Sequence, residues 1–69
     1  MTPEMQVLLQ QREAVREQKM AMQQEIDQLA AKTQLTPEES AAMAKLREDL
    51  ALTLNKEGYL TFTINEALP

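Results

Sequence analysis

Three basic residues, Arg12, Arg16 and Lys19, are the first candidates for chemistry in this 69-residue sequence. They are spaced at i, i+4 and i+7, so on a helix they would lie along one face. Such a stripe could bind an acidic protein surface, or its aliphatic stems could simply cover apolar surface. A nucleic-acid-binding regulator is the alternative, but Glu13 and Glu17 interleave with the basic residues and no aromatic residue stands among them to stack on bases.

Residue types that serve catalysis are scarce. The chain has no histidine and no cysteine, and Ser40 has no adjacent base to activate it. Glu13 and Glu17, one helical turn apart, could share a hard cation, although Arg12 and Arg16 beside them favour a solvated, charge-balanced face. We therefore predict a protein that is not an enzyme and that uses no cofactor and no metal.

The net charge of the chain is −4, which restricts the classes of partner. Binding to duplex DNA depends on neutralising phosphates, and a polybasic membrane anchor needs a basic face, so both are disfavoured. No stretch approaches the roughly 18 apolar residues that a membrane span requires. We expect a cytoplasmic protein.

The first half of the sequence predicts one long helix over about residues 3–33. Thr2 can cap its first turn, Pro3 suits the first helical position, and Glu4 favours the positive end of the helix dipole. No glycine or further proline follows before the predicted end. Apolar residues recur with the seven-residue period of a coiled-coil seam, which places the following on one face: Met5, Leu8, Leu9, Val15, Met22, Ile26 and Leu29.

A second helix is predicted over about residues 37–55, after a connection at 34–36. Thr36, Pro37 and Glu39 have the spacing of a capping box. The expected buried stripe of this helix consists of Met43, Leu46, Leu50 and Leu54. A short connection makes the two helices antiparallel neighbours.

The end of the second helix is ambiguous in the sequence. Gly58 could terminate it in a left-handed cap, with Tyr59 folding back. Residues 59–64 are rich in aromatic and β-branched residues and predict a short C-terminal strand, followed by a tail at 65–69. Alternatively, alternation on both sides of the turn at 55–58 is typical of a β-hairpin over residues 50–64.

The predicted lengths leave the N-terminal half of the first helix without a cover inside the chain. We therefore expect a homodimeric helical bundle whose interface includes Met5, Leu8, Leu9, Val15 and Met22. Oligomerisation also suits a small chain that has no disulfide to stabilise it. A protein partner would contact the exposed edge of the same region and the end of the hairpin, at Arg12, Arg16, Lys19, Met20 and Tyr59.

The predicted fold class is thus mostly α: an antiparallel helical hairpin with a short C-terminal strand, assembled as a dimer. In architecture alone, this plan resembles the small dimeric helical hairpins that control plasmid copy number by binding RNA, and no motif carries residues across. The predicted function is a small protein-interaction module that modulates another protein as adaptor, inhibitor or anti-activator, of the kind that phages and mobile elements encode. A structural or assembly subunit is a further alternative.

Overall fold

A computed structural model describes residues 2–68, which form two helices, α1 (Pro3–Ala30) and α2 (Pro37–Ala67). About 88% of the described chain is helical, and the two helices pack against each other as a helical hairpin. The molecule is a rod of 51 × 14 × 14 Å. The predicted helical hairpin is therefore confirmed.

The start of each helix is fixed by a threonine, as the sequence predicts. The Thr2 hydroxyl accepts a hydrogen bond from the Met5 backbone N–H at 3.1 Å. The Thr36 hydroxyl accepts one from Glu39 N–H at 3.1 Å, while the Glu39 carboxylate accepts one from Thr36 N–H at 3.0 Å, which completes the capping box. The capping box places the start of α2 directly after Thr36. α1 ends at Ala30 rather than near residue 33, so the connection covers residues 31–36.

The second helix is longer than the sequence indicates. It runs without a break through Gly58, whose φ is not positive, and ends at Ala67. Residues 59–64 are helical, and no strand is found among the described residues, so the predicted C-terminal strand is wrong. The alternative β-hairpin over residues 50–64 is wrong for the same reason.

The packing in the seam between the two helices explains why residues 59–64 form a helix and not a strand. A heptad pattern continues through α2, with buried or half-buried side chains at Met43, Leu46, Leu50, Thr53, Glu57, Leu60 and Ile64. These positions match the heptad of α1, so each further helical turn of α2 adds another layer to the seam. A lone strand at 59–64 would leave its backbone groups without partners, whereas the helix satisfies them internally. Packing therefore overrides the local strand preference.

Thr53, rather than Leu54, occupies the seam. Thr53 is 8% exposed, and its hydroxyl donates to the Asp49 carbonyl at 2.7 Å, whereas Leu54 is 47% exposed. The prediction of Leu54 as a buried residue is wrong, because the heptad step from Leu46 and Leu50 leads to position 53. The threonine hydroxyl is satisfied by its own helix, so its burial leaves no unpaired polar group.

The length of α2 also removes the argument for an uncovered half of α1. At 31 residues it matches the 28 residues of α1, so the antiparallel pair is covered from end to end. Met5, Val15 and Ile26 of α1 are all buried within the single chain. The seam is thin, however: among the described residues, no large side chain is completely buried.

Candidate functional site

The predicted basic stripe is partly used inside the hairpin. Lys19 Nζ lies 3.0 Å from Glu57 Oε1 and 3.1 Å from Oε2, and Arg16 Nε lies 3.1 Å from Glu57 Oε2. The Glu57 side chain is only 16% exposed. The hydrogen bond from Lys19, followed by its charge and by Arg16, holds the pKa of the Glu57 carboxyl below its usual value, and burial opposes these effects only in part. This triad is an ion-paired layer that joins α1 and α2 in the middle of the seam.

The remaining residues predicted to bind a partner are divided between the two helices. Arg12 is half-buried at a seam position and forms no ion pair within residues 2–68. Met20 and Tyr59 are exposed, at 68% and 70%, but on different helices. Whether these residues contact a partner stays a prediction.

The residues predicted to form a dimer interface lie in the intramolecular seam or along it. Met5 and Val15 are buried, and Leu8, Leu9 and Met22 are half-buried, all within one chain. The Met22 sulfur lies 3.8 Å from the Thr53 hydroxyl across the seam. Because α2 already covers these side chains, they offer little apolar surface to a second copy.

A different apolar surface lies on the outside of α2. Leu52, Tyr59 and Phe62 are spaced at i, i+7 and i+10, which places them on one helical face. They are 62%, 70% and 62% exposed. Seam residues such as Thr53, Leu60 and Ile64 lie on the opposite side of the same helix. We call this surface, with the exposed Asn55 and Gly58 between its large side chains, the outer surface of α2.

The sequence does contain a signal for this surface. Leu52 does not lie on the helical face that carries Leu46 and Leu50. This misfit favours a strand only if the helix is assumed to have a single apolar face. A helix with two apolar faces, one for the seam and one outward, accounts for Leu52 as well as Tyr59 and Phe62. Both aromatic residues of the chain then lie on the outward face.

The opposite end of the hairpin has an open groove beside the connection. It has a volume of about 510 Å³ and lies between the last turns of α1 and the first turns of α2, lined by Glu25, Gln28, Leu29, Lys32, Ala42 and Leu46. Lys32 forms an ion pair with Glu39 across the connection. This pair, together with the hydrogen bonds that Glu39 makes with Thr36, lowers the pKa of the Glu39 carboxyl. The groove therefore lies beside the Lys32–Glu39 ion pair, which stabilises the connection between the two helices.

Residues 2–68 hold no group of three or more aspartate or glutamate side chains placed to bind a metal ion. Neither described helix combines the length and the apolar character needed to span a bilayer.

Comparisons with family models, with curated proteins and with solved structures found no match to this chain.

Proposed function

We propose that this protein is a non-enzymatic helical-hairpin module that binds another protein through the outer surface of α2. One observation carries the proposal: Leu52, Tyr59 and Phe62 stand outward on one helical face, each more than 60% exposed. The largest exposed apolar patch of a monomer is often a functional site, whereas single exposed apolar side chains need no explanation. Tyrosine in particular is enriched where binding energy is concentrated.

The internal contacts of the hairpin support this choice of surface. The apolar stripe of α1 is covered by α2, and two of the three basic residues of α1 are paired with Glu57. Arg16 and Lys19 would have to give up that pairing to neutralise phosphates, which weakens the case for a nucleic-acid regulator. The side chains of the outer surface of α2 take no part in the seam, so a partner can bind them without breaking a contact inside the hairpin.

An adaptor or inhibitor role follows from the kind of surface on offer. The hairpin presents a helical face, and it would act by occupying a complementary face on its partner. One argument for a homodimer is an uncovered half of α1, and α2 covers that half; the small size of a chain without disulfides still favours oligomerisation, so the dimer stays a prediction. A second copy of the chain therefore enters the experiment only as an alternative occupant of the same surface.

The proposal is tested by comparing three proteins as bait in affinity purification with quantitative mass spectrometry. They are the wild type, a Tyr59→Ser/Phe62→Ser variant, and a Val7→Ser/Leu54→Ser control that removes two exposed apolar side chains from outside the outer surface of α2. We expect the wild type and the control to enrich the same protein, and the Tyr59→Ser/Phe62→Ser variant to lose it. The enriched protein must then bind the purified wild type directly.

Circular dichroism of all three proteins checks that helix content is unchanged, so that lost binding is not lost folding. Equal enrichment by the wild type and the Tyr59→Ser/Phe62→Ser variant would contradict the proposal. Light scattering of the wild type alone reports self-association, and a dimer abolished by the same double substitution would assign the surface to a second copy.

A further inference from the structure

Four exposed residues on the outer surface of α2 have the spacing of a knob-into-hole site. Asn55, Gly58, Tyr59 and Phe62 stand at i, i+3, i+4 and i+7, the four positions of one helix that surround a side chain inserted from a facing helix. All four are exposed. The surface is therefore shaped to receive one side chain of another helix, with Tyr59 and Phe62 as two of its walls.

Gly58 is the one position around this hole that has no side chain. A Cβ atom placed at Gly58 would meet nothing within 4 Å, so packing inside the hairpin does not require a glycine. Its φ is not positive, so backbone conformation does not require one either. A glycine in a helix interior costs roughly 1 kcal/mol relative to alanine. At this position the glycine lets a side chain from another helix approach the backbone of α2 more closely.

Charges at the two ends of the hole indicate what kind of helix would enter. Glu48 stands seven residues before Asn55 and Glu66 seven residues after Tyr59, so both carboxylates lie in line with the hole. Lys45, which also lies along this face, is paired with Asp49 at 3.1 Å and interacts electrostatically with Glu48 as well, so the Glu48 charge is balanced in part.

Lys56 borders the surface at one side and is the cation nearest to the hole in sequence. The chain as a whole carries a net charge of −4, which attracts a basic partner at long range. Basic residues beyond each end of an inserted apolar side chain would therefore complement this face.

A second copy of the chain fits the same hole less well. Centred on the hole in antiparallel order, two copies would place Glu48 against Glu66, and in parallel order each glutamate would face its own counterpart. Three partly exposed side chains also supply only a few hundred Å² per copy, on the order of half of the roughly 800 Å² per subunit found in stable interfaces. A small interface of this kind suits a transient heterologous contact.

We infer that the hole formed by Asn55, Gly58, Tyr59 and Phe62 receives an apolar side chain from a helix of another protein that carries basic residues on either side. The inference rests on the proposed function and names the chemistry of the partner. An α-helical segment with one apolar stripe, and with lysine or arginine one to two turns beyond each end of the inserted residue, has the required form.

Two synthetic helical peptides of about 18 residues serve as probes in fluorescence polarisation. They share one leucine stripe, and their polar positions are lysine in the first peptide and glutamate in the second. We expect the intact protein to bind the lysine peptide at least about tenfold more tightly than the glutamate peptide. Tyr59→Ser/Phe62→Ser should abolish binding, and Gly58→Ala should weaken it several-fold while leaving the helix content intact.

The charge requirement is tested with two variants of equal net charge. Glu48→Gln/Glu66→Gln removes the carboxylates at the ends of the hole, and Glu13→Gln/Glu17→Gln removes two from α1. We expect the first variant to lose most of the preference for the lysine peptide and the second to keep it. Equal loss in both variants would mean that only overall charge attracts the peptide, which would overturn the inference.

The remaining outcomes separate the inference from the proposed function. The glutamate peptide could bind as tightly as the lysine peptide or more tightly, and lose that binding in Tyr59→Ser/Phe62→Ser. That result would refute the inference that the partner helix is basic, but it would support the outer surface of α2 as a binding site. Binding of neither peptide, or binding unaffected by Tyr59→Ser/Phe62→Ser, would remove the hole as a helix site. Concentration-dependent dimerisation abolished by Gly58→Ala would give the hole to a second copy and refute the inference.

Discussion

Lys19 and Glu57 face each other across the middle of the hairpin, with Lys19 Nζ donating to both carboxylate oxygens at 3.0 and 3.1 Å. Both residues occupy seam positions that a coiled coil usually fills with apolar side chains. The pair fixes the register of α2 on α1, because a shift by one turn would place a lone charge against apolar neighbours.

Replacing Glu57 should destabilise the hairpin and change its response to pH. The pKa of Glu57 is lowered in the folded chain, so the unfolded chain binds the proton more readily. The stabilisation is thus fully present above the ordinary glutamate pKa of about 4.3 and is lost as the pH falls through the lower folded value. In Glu57→Gln the melting temperature should be lower at neutral pH and should decline less on acidification.

Thermal unfolding followed by circular dichroism between pH 7 and pH 2.5 measures this difference. Glu17→Gln is the matched control, since Glu17 is exposed and makes no ion pair within the described chain. Identical pH profiles for the wild type and Glu57→Gln would show that the pair contributes nothing to stability.

Truncation of Ile64 should distinguish a helix from a strand at the end of the chain. Ile64 is 3% exposed, and Ile64→Ala should cost about 2–5 kcal/mol through lost burial and the cavity left behind. Phe62→Ala should cost at most about 0.5 kcal/mol, because Phe62 is 62% exposed. Urea denaturation gives both values. In a strand, Phe62 and Ile64 would share one face, so similar losses for the two variants would count against the helix.

Gly58→Ala should stabilise the isolated protein by about 0.5–1 kcal/mol. The added methyl group enters open space, and the backbone already has a helical conformation that alanine favours. The expected result is a higher melting temperature with unchanged helix content. A lower melting temperature would mean that Gly58 adopts a positive φ, as it would in a helix cap or a hairpin turn.

The capping box at Thr36 should have a measurable effect on α2. Thr36→Ala removes the acceptor for Glu39 N–H and should cost about 1 kcal/mol. Thr33→Ala, in the exposed connection, removes the same hydroxyl without removing a cap and should change stability by less than about 0.5 kcal/mol. Equal effects of the two substitutions in urea denaturation would rule out a specific role for the cap.

Of the candidate surface only Tyr59 is predicted from the sequence, because the rest of the surface depends on where α2 ends. Tyr59 and Phe62 belong to a strand in one interpretation and to the outward face of a helix in the other. Local preference favours the strand, and only the match between the heptads of α1 and α2 over their whole length decides for the helix. The sequence also does not predict the ion pairs of Glu57, because its two partners lie 38 and 41 residues away along the chain.

The sequence by itself determined the two helix starts, the antiparallel hairpin and the seam of α1, because caps and seven-residue spacing act locally along the chain. Thr2 and Thr36 cap the helices as expected, and the stripe from Met5 to Leu29 lies along the buried face of α1, where α2 covers it within the chain. Only the tertiary structure decided the length of α2, the replacement of Leu54 by Thr53 in the seam, and the pairing of Lys19 with Glu57. Those outcomes depend on burial against the other helix, and burial is a property of the folded pair.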